Sequence, residues 1–126
     1  MGLEPGLSGT AEMIVGDTDT AVAMKSGDVA VLATPRVVNL AEEATVIAVA
    51  DGMTEDLTTV GYRVQLDHLA PTAVGGHVQA EALLESVEGR RLVFRVSVSD
   101  KNGLVAAGRI TRVIVERVRF LEKAGG

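Results

Sequence analysis

The sequence predicts an α+β fold in which an antiparallel β-sheet is wrapped around one long central helix. Three observations carry this. One segment, Thr34 to about Ala50, has helical periodicity; from Val60 almost to the end the apolar residues alternate; and short turns link the alternating segments. A run of hairpin-linked strands has one apolar face to cover, and a single buried helix covers it. With 126 residues the chain is the size of one domain, 1–126.

Residues 1–7 are Gly- and Pro-rich and read as a flexible arm, followed by a strand from Gly9 to about Val15. Asp17 to Gly27 is polar and turn-like. At Thr34-Pro35 a capping hydroxyl precedes a proline suited to the first helical position, where its missing N–H costs nothing. Val37, Leu40, Ala41, Ala44 and Ala48 then form one stripe, and the helix ends near Gly52. In the next segment Val60, Tyr62, Val64, Leu66 and His68 share one face of a strand. Val78, Ala80, Ala82 and Leu84 mark another, and Leu92, Phe94, Val96 and Val98 a third, joined by a turn at Glu88-Gly89. After a turn at Asp100 to Gly103, a last strand runs from about Leu104 to Arg119 with a bend near Gly108. The hotdog fold has this arrangement.

Composition narrows the function. The chain is 47% hydrophobic but only 2% aromatic, so its core is built from Val, Leu, Ile and Ala, and base-stacking surfaces are scarce. A net charge of -5 opposes general binding to nucleic acid. There is no cysteine, hence no disulfide, thiolate ligand or Cys nucleophile. The N-terminus lacks the basic start and apolar run of a signal peptide, and no segment is long and apolar enough for a membrane span, which together predict a cytoplasmic protein. Two histidines without metal-ligand spacing predict no metal, and no phosphate-binding loop, dinucleotide fingerprint or nucleophile elbow is present. No cofactor is expected.

The residues left for chemistry are Thr34 at a helix start, Glu42 two turns into the helix, and His68 at a strand end. A helix N-terminus offers backbone N–H groups and partial positive charge to a polarised carbonyl, and a carboxylate can attack or activate water. Each has a plainer reading. Thr34 fits a simple N-cap, His68 a rim residue, and Gly61 a bulge, while Glu42 and the adjacent Glu43 both flank the apolar stripe and periodicity does not choose between them.

Their joint spacing resembles the thioesterase family typified by fluoroacetyl-CoA thioesterase. The segment Val31-Leu-Ala-Thr-Pro-Arg-Val-Val-Asn-Leu-Ala-Glu42 is similar to the family's entry to its central helix; Val60-Gly61 through His68-Leu-Ala-Pro-Thr72 is similar to a strand ending in the family's His-x-Ala-Pro-Thr; and Gly108-Arg-Ile-Thr-Arg112-Val is similar to a later strand. The resemblance implies that Thr34, Glu42 and His68 are catalytic, that Gly61 lets the acyl group approach the strand, and that Arg112 orients the site or meets coenzyme A phosphate. It further implies a homodimer, or a tetramer built from it, with active sites shared between chains, acting on an acyl-CoA or acyl-carrier thioester whose coenzyme A is substrate and not cofactor. Glu42 would attack the carbonyl or activate water, Thr34 orient that carboxylate or water, and His68 relay the proton. Two departures bear on substrate. Fluoroacetyl selectivity goes with phenylalanines in a lid before the helix, and 18–33 contains no aromatic; the family's histidine two residues before the Arg is Ile110 here. The expected substrate is therefore a small acyl thioester of unspecified identity, with no fluoroacetyl selectivity expected. A non-catalytic acyl-CoA or hydrophobic-ligand binding module is a second reading. A hotdog hydratase or dehydratase is a third, ranked last because the helix carries no histidine.

Overall fold

The computed structural model describes residues 2–125. Strands β1 (Ser8–Ile14), β2 (Leu57–His68), β3 (His77–Glu88), β4 (Arg91–Asp100) and β5 (Gly103–Glu116) form one antiparallel sheet in the order β1-β3-β4-β5-β2. Helix α1 (Thr34–Val49) packs into its concave face, and a short helix α2 (Arg117–Lys123) follows β5. Among the described residues no helix is long and apolar enough to cross a membrane.

The apolar stripe of α1 is buried as its spacing demands: Val37, Leu40, Ala41, Ala44 and Ala48 lie against Val78, Ala80, Ala82 and Leu84 of β3 and against Leu92, Phe94, Val96 and Val98 of β4. Phe94 is the one aromatic in this core. The alanines on both layers keep helix and sheet close. Past Val49 the chain makes one 3₁₀ turn, Ala50–Gly52, where the helix was expected to stop.

Four expectations are corrected. The cap of α1 is Ala33, whose carbonyl accepts the N–H groups of Arg36 and Val37; Thr34 is the first helical residue and its hydroxyl is used elsewhere. Residues 2–7 do not form a loose arm: Leu3 packs against the core, Gly6 N–H donates to Leu84 and the Leu7 carbonyl accepts from Leu84 N–H. The last strand stops at Glu116, because the Glu116 carboxylate caps the backbone N–H of Arg119 and the Arg117 guanidinium donates to the carbonyls of Glu55 and Leu57, starting α2. At Gly108 the pairing runs on unbroken between Leu66 and Val96, so close that a Cβ would collide with the Gln65 carbonyl, and the register break of β5 falls at Val105.

The alternation assigned to β2 also breaks. Gly61 pairs with Arg112 and Arg63 with Thr111, which leaves Tyr62 as an extra residue in a β-bulge. Residues before and after a bulge change faces relative to a regular strand. Val64, Leu66 and His68 face α1, Val60 faces away, and Thr59 and Gly61 point inward with Arg112.

Candidate active site

Two polar pairs interrupt the apolar layer between α1 and β2. At the start of α1, Thr34 Oγ1 and His68 Nδ1 are 2.7 Å apart. Thr34 is at a helix end and His68 at a strand end, so both side chains reach the same corner. The Nε2 atom of His68 is buried and has no hydrogen-bond partner among the described residues. A neutral imidazole needs a donor on one nitrogen and an acceptor on the other, so an unpaired buried Nε2 marks a place for a further polar group. A cleft of about 360 Å³ opens beside this pair, walled by Ala21, Gly27, Val29, Val31 and Leu69. Of the first-turn N–H groups, Arg36 and Val37 donate to Ala33 and Pro35 has none, so the backbone N–H of Thr34 is the donor not engaged within the helix.

Two turns further along α1, Glu42 Oε2 accepts a hydrogen bond from Arg112 Nη1 at 3.2 Å. Arg112 is buried, with a relative exposure of 7%, and Thr59 holds it from the other side: its hydroxyl accepts from Nε at 3.0 Å and its carbonyl from Nη2 at 2.9 Å. Burial pulls the Arg112 guanidinium below its usual pKa, and the charge and hydrogen bond of Glu42 oppose that shift. A guanidinium clamped at three points fixes one oxygen of the carboxylate and leaves the other open. Gly61 lies directly against this group, where a Cβ would stand 2.8 Å from Glu42 Oε2. The ambiguity with Glu43 is resolved, since Glu43 is exposed and forms no ion pair among the described residues.

Within one chain these pairs are apart. Eight residues of helix separate the Cα atoms of Thr34 and Glu42 by about 12 Å. Gly61, against Glu42, and His68, against Thr34, stand roughly 20 Å apart along β2 at ~3.3 Å per residue after allowing for the bulge. Thr34 Oγ1 has His68 Nδ1 as its partner, and no hydrogen bond joins it to Glu42 among the described residues.

Sequence reasoning missed Thr59, whose value lies in a contact with β5 that no local pattern announces. Arg112 carried a readable signal, since it shares the inward parity of Ala106 and Ile110. The second histidine, His77, is exposed and pairs with Glu12 at 2.6 Å on the β1–β3 surface, away from both pairs. Among the described residues no three His, Cys, Asp or Glu side chains gather to hold a metal.

A family model described as the fluoroacetyl-CoA-specific thioesterase matches residues 15–118. The fluoroacetyl-CoA thioesterase of Streptantibioticus cattleyicolor is 36% identical over 93 residues, covering 74% of this chain and 67% of that protein. A solved structure of a fluoroacetyl-CoA thioesterase superposes with a TM-score of 0.92 at 29% identity, covering 98% of this chain and 96% of that one. A Thermus thermophilus protein described as a thioesterase superfamily member superposes with a TM-score of 0.86 at 28% identity, covering 96% and 91% of the two chains. With the curled sheet around α1, these matches establish a hotdog thioester hydrolase, and the chain belongs to the fluoroacetyl-CoA-specific thioesterase family.

Proposed function

We propose that the protein hydrolyses a small acyl-CoA thioester at a composite site, with Glu42 and Arg112 from one protomer and Thr34 and His68 from its partner. What supports this reading is that the two pairs are held separately, Thr34 with His68 and Glu42 with Arg112, eight residues apart on α1 and seven apart on β2 from Gly61 to His68. Strand β2 is a twelve-residue edge of the sheet, and a long unpaired edge is a template for pairing. Pairing it with a twofold copy reverses the strand direction, so the His68 end of one β2 lies beside the Gly61 end of the other. Val46 and Ile47 on α1 and Val64 on β2, each more than 40% exposed, supply apolar surface for such an interface.

In this arrangement the acyl carbonyl approaches the Glu42 carboxylate, whose Oε2 lies against Gly61 where the absent Cβ leaves it room. The free oxygen of Glu42 attacks the carbonyl carbon, or removes a proton from water that attacks it; Arg112 holds the other oxygen and keeps the carboxylate aimed. The tetrahedral oxyanion takes the N–H of the partner's Thr34. As the C–S bond breaks, the partner's His68 gives a proton to the departing thiolate, and the proton released by the attacking water reprotonates it at the end of the cycle, while the hydroxyl of the partner's Thr34 holds Nδ1. Direct attack forms an acyl-Glu42 anhydride that water then cleaves, whereas the water route never acylates the enzyme. Water attack on the Glu42 carbonyl carbon of the anhydride leaves ¹⁸O in the Glu42 peptide after one turnover in ¹⁸O-water, whereas trapping of the acyl-enzyme by rapid quench and mass spectrometry detects the anhydride whichever carbon water attacks. The cleft beside Thr34 and His68 mixes Val29, Val31 and Leu69 with Ser26 and Asp28, and no aromatic ring lies from 18 to 33, which supports a small acyl group without fluoroacetyl selectivity.

The test is an acyl-CoA panel with free-thiol detection, run beside Glu42→Gln. Hydrolysis by the native protein, lost in Glu42→Gln, supports the reading. Tight binding of every acyl-CoA without thiol release refutes it.

A further inference from the structure

The mechanism uses His68 but not Thr72, which ends the same segment His68-Leu-Ala-Pro-Thr72. Thr72 is 5% exposed, and its hydroxyl donates to Asp100 Oδ2 at 2.8 Å. The other oxygen of Asp100 accepts the backbone N–H of Asn102 at 2.8 Å, which fixes the carboxylate at the tip of the β4–β5 hairpin. A hydroxyl donating to an ionised acceptor makes a stronger bond than one between neutral groups. On its other side the Thr72 carbonyl accepts the N–H of Leu32 at 2.9 Å, and Ala73 bridges to Val31.

Thr72 is a brace between two parts of the fold that the Thr34–His68 contact must bring together. Leu32 lies just before Thr34, on the run that enters α1. His68 is the last residue of β2, and the chain that follows it is tied to the hairpin as well: the N–H groups of Leu69 and Ala70 both donate to the Val105 carbonyl, at 2.7 and 3.2 Å. Val105 is the unpaired residue at the register break between β4 and β5, and its carbonyl receives the segment after His68. Helix start, strand end and hairpin tip thus meet at Thr72. The 2.7 Å contact between Thr34 Oγ1 and His68 Nδ1 joins the ends of two separate elements, and a relative shift of about one ångström breaks it.

We propose that Thr72 and Asp100 are positioning residues for thioester hydrolysis, holding His68 in register with Thr34 without touching the substrate. The inference rests on the hydrolytic reading of the site and adds two residues that act through the imidazole. Both side chains line a cavity of about 620 Å³, and Pro71 stands between that cavity and the cleft beside Thr34 and His68, lining both. Solvent in the cavity hydrates the Asp100 carboxylate once the hydroxyl is removed, so Thr72→Val loosens the brace and leaves the fold intact.

The test reads His68 itself. Imidazole ¹⁵N spectra, at about pH 8.5 where an unperturbed ring is neutral, are recorded for the native chain, Thr72→Val, Thr72→Ser, Asp100→Ala and Thr72→Val/Asp100→Ala, with kcat and KM for a short acyl-CoA measured on each. A His77→Gln protein identifies the His68 signals. In the native chain Nδ1 and Nε2 should give the separated signals of one tautomer; in Thr72→Val and in Asp100→Ala they should move toward each other as the tautomers exchange. In both single variants kcat should fall about tenfold or more with KM within about twofold, since a group misplaced by an ångström costs up to about 10² in rate. The double variant should fall no further than either single one, and Thr72→Ser should return kcat to within about threefold of native. Val96→Ala, a change in the buried core of β4, should lower Tm at least as far while leaving kcat and the His68 signals as they are. Native kcat or native His68 signals in Thr72→Val overturn the proposal, and so does a Val96→Ala protein that loses kcat in step. If the native chain cleaves no acyl-CoA, the hydrolytic reading fails on its own, and the His68 signals of the variants still decide whether Thr72 and Asp100 hold the ring.

Discussion

Gly61→Ala separates the chemistry of the carboxylate from the stability of the sheet. A Cβ at this position stands 2.8 Å from Glu42 Oε2 and 3.8 Å from Arg112 Nη1, and φ at Gly61 is not in the left-handed region, so alanine fits the backbone. Ordinary carbon–oxygen contacts lie near 3.3–3.6 Å, so the carboxylate must retreat by about 0.5–0.8 Å. The Glu42–Arg112 bond is already 3.2 Å long, and such a retreat takes it beyond useful hydrogen-bond length. Because the displaced atom is the end of a flexible side chain, folding pays little. A gain of about 0.4–1 kcal/mol from restricting the unfolded chain offsets part of that cost, and Tm should stay within about 5 °C of the native value. Misplacing a reacting group by an ångström costs about 10² in rate, so kcat should fall by roughly ten- to a hundredfold. Thiol release from an acyl-CoA, with thermal unfolding in parallel, reads both. A kcat within twofold of native refutes the placement of Glu42 against the acyl group, and a loss of activity that only tracks unfolding refutes the claim that the effect is local.

Three further outcomes follow from the same geometry. Glu42→Gln should lower kcat by about 10²–10⁴ while Glu43→Gln, altering an exposed side chain, changes it less than twofold; steady-state thiol assays on both decide. Thr59→Val removes the hydroxyl that accepts from Arg112 Nε but keeps the carbonyl, so kcat should drop about tenfold with KM little changed, and restoration by Thr59→Ser would show that the hydroxyl matters and not the methyl. Phe94→Ala empties the centre of the core and should cost about 3–5 kcal/mol in denaturant unfolding, with loss of activity following loss of fold.

The long helix and the inner faces of β3 and β4 were legible because each repeats one period without interruption. The stripe Val37, Leu40, Ala41, Ala44 and Ala48 and the alternating Leu92, Phe94, Val96 and Val98 are all buried. In β2 one extra residue at Tyr62 reversed the faces; Gly61 marked a bulge as one of its readings, but the alternation alone did not say which side chains it would turn over. The end of β5 was misread because Ile114, Val118 and Phe120 keep one parity past the strand, whereas Glu116 folds back to cap a helix. At the site, local spacing offered Thr34, Glu42 and His68 as separate possibilities, and the family resemblance joined them. Only three-dimensional contacts could divide them into two pairs, tie Glu42 through Arg112 to Thr59, and turn Thr34 from a cap into a partner of His68.

The composite site is tested most directly by subunit complementation. Glu42→Gln and Thr34→Ala proteins, each nearly inactive alone, are mixed in equal amounts, unfolded and refolded together, and assayed for thiol release. In a shared-site dimer, half of the refolded dimers combine one protomer of each kind, and each of these regains one intact site of two. About one quarter of native activity should return. If each chain carried its whole site, every site in the mixture would still lack Glu42 or Thr34, and activity no higher than that of the separate variants would contradict the account.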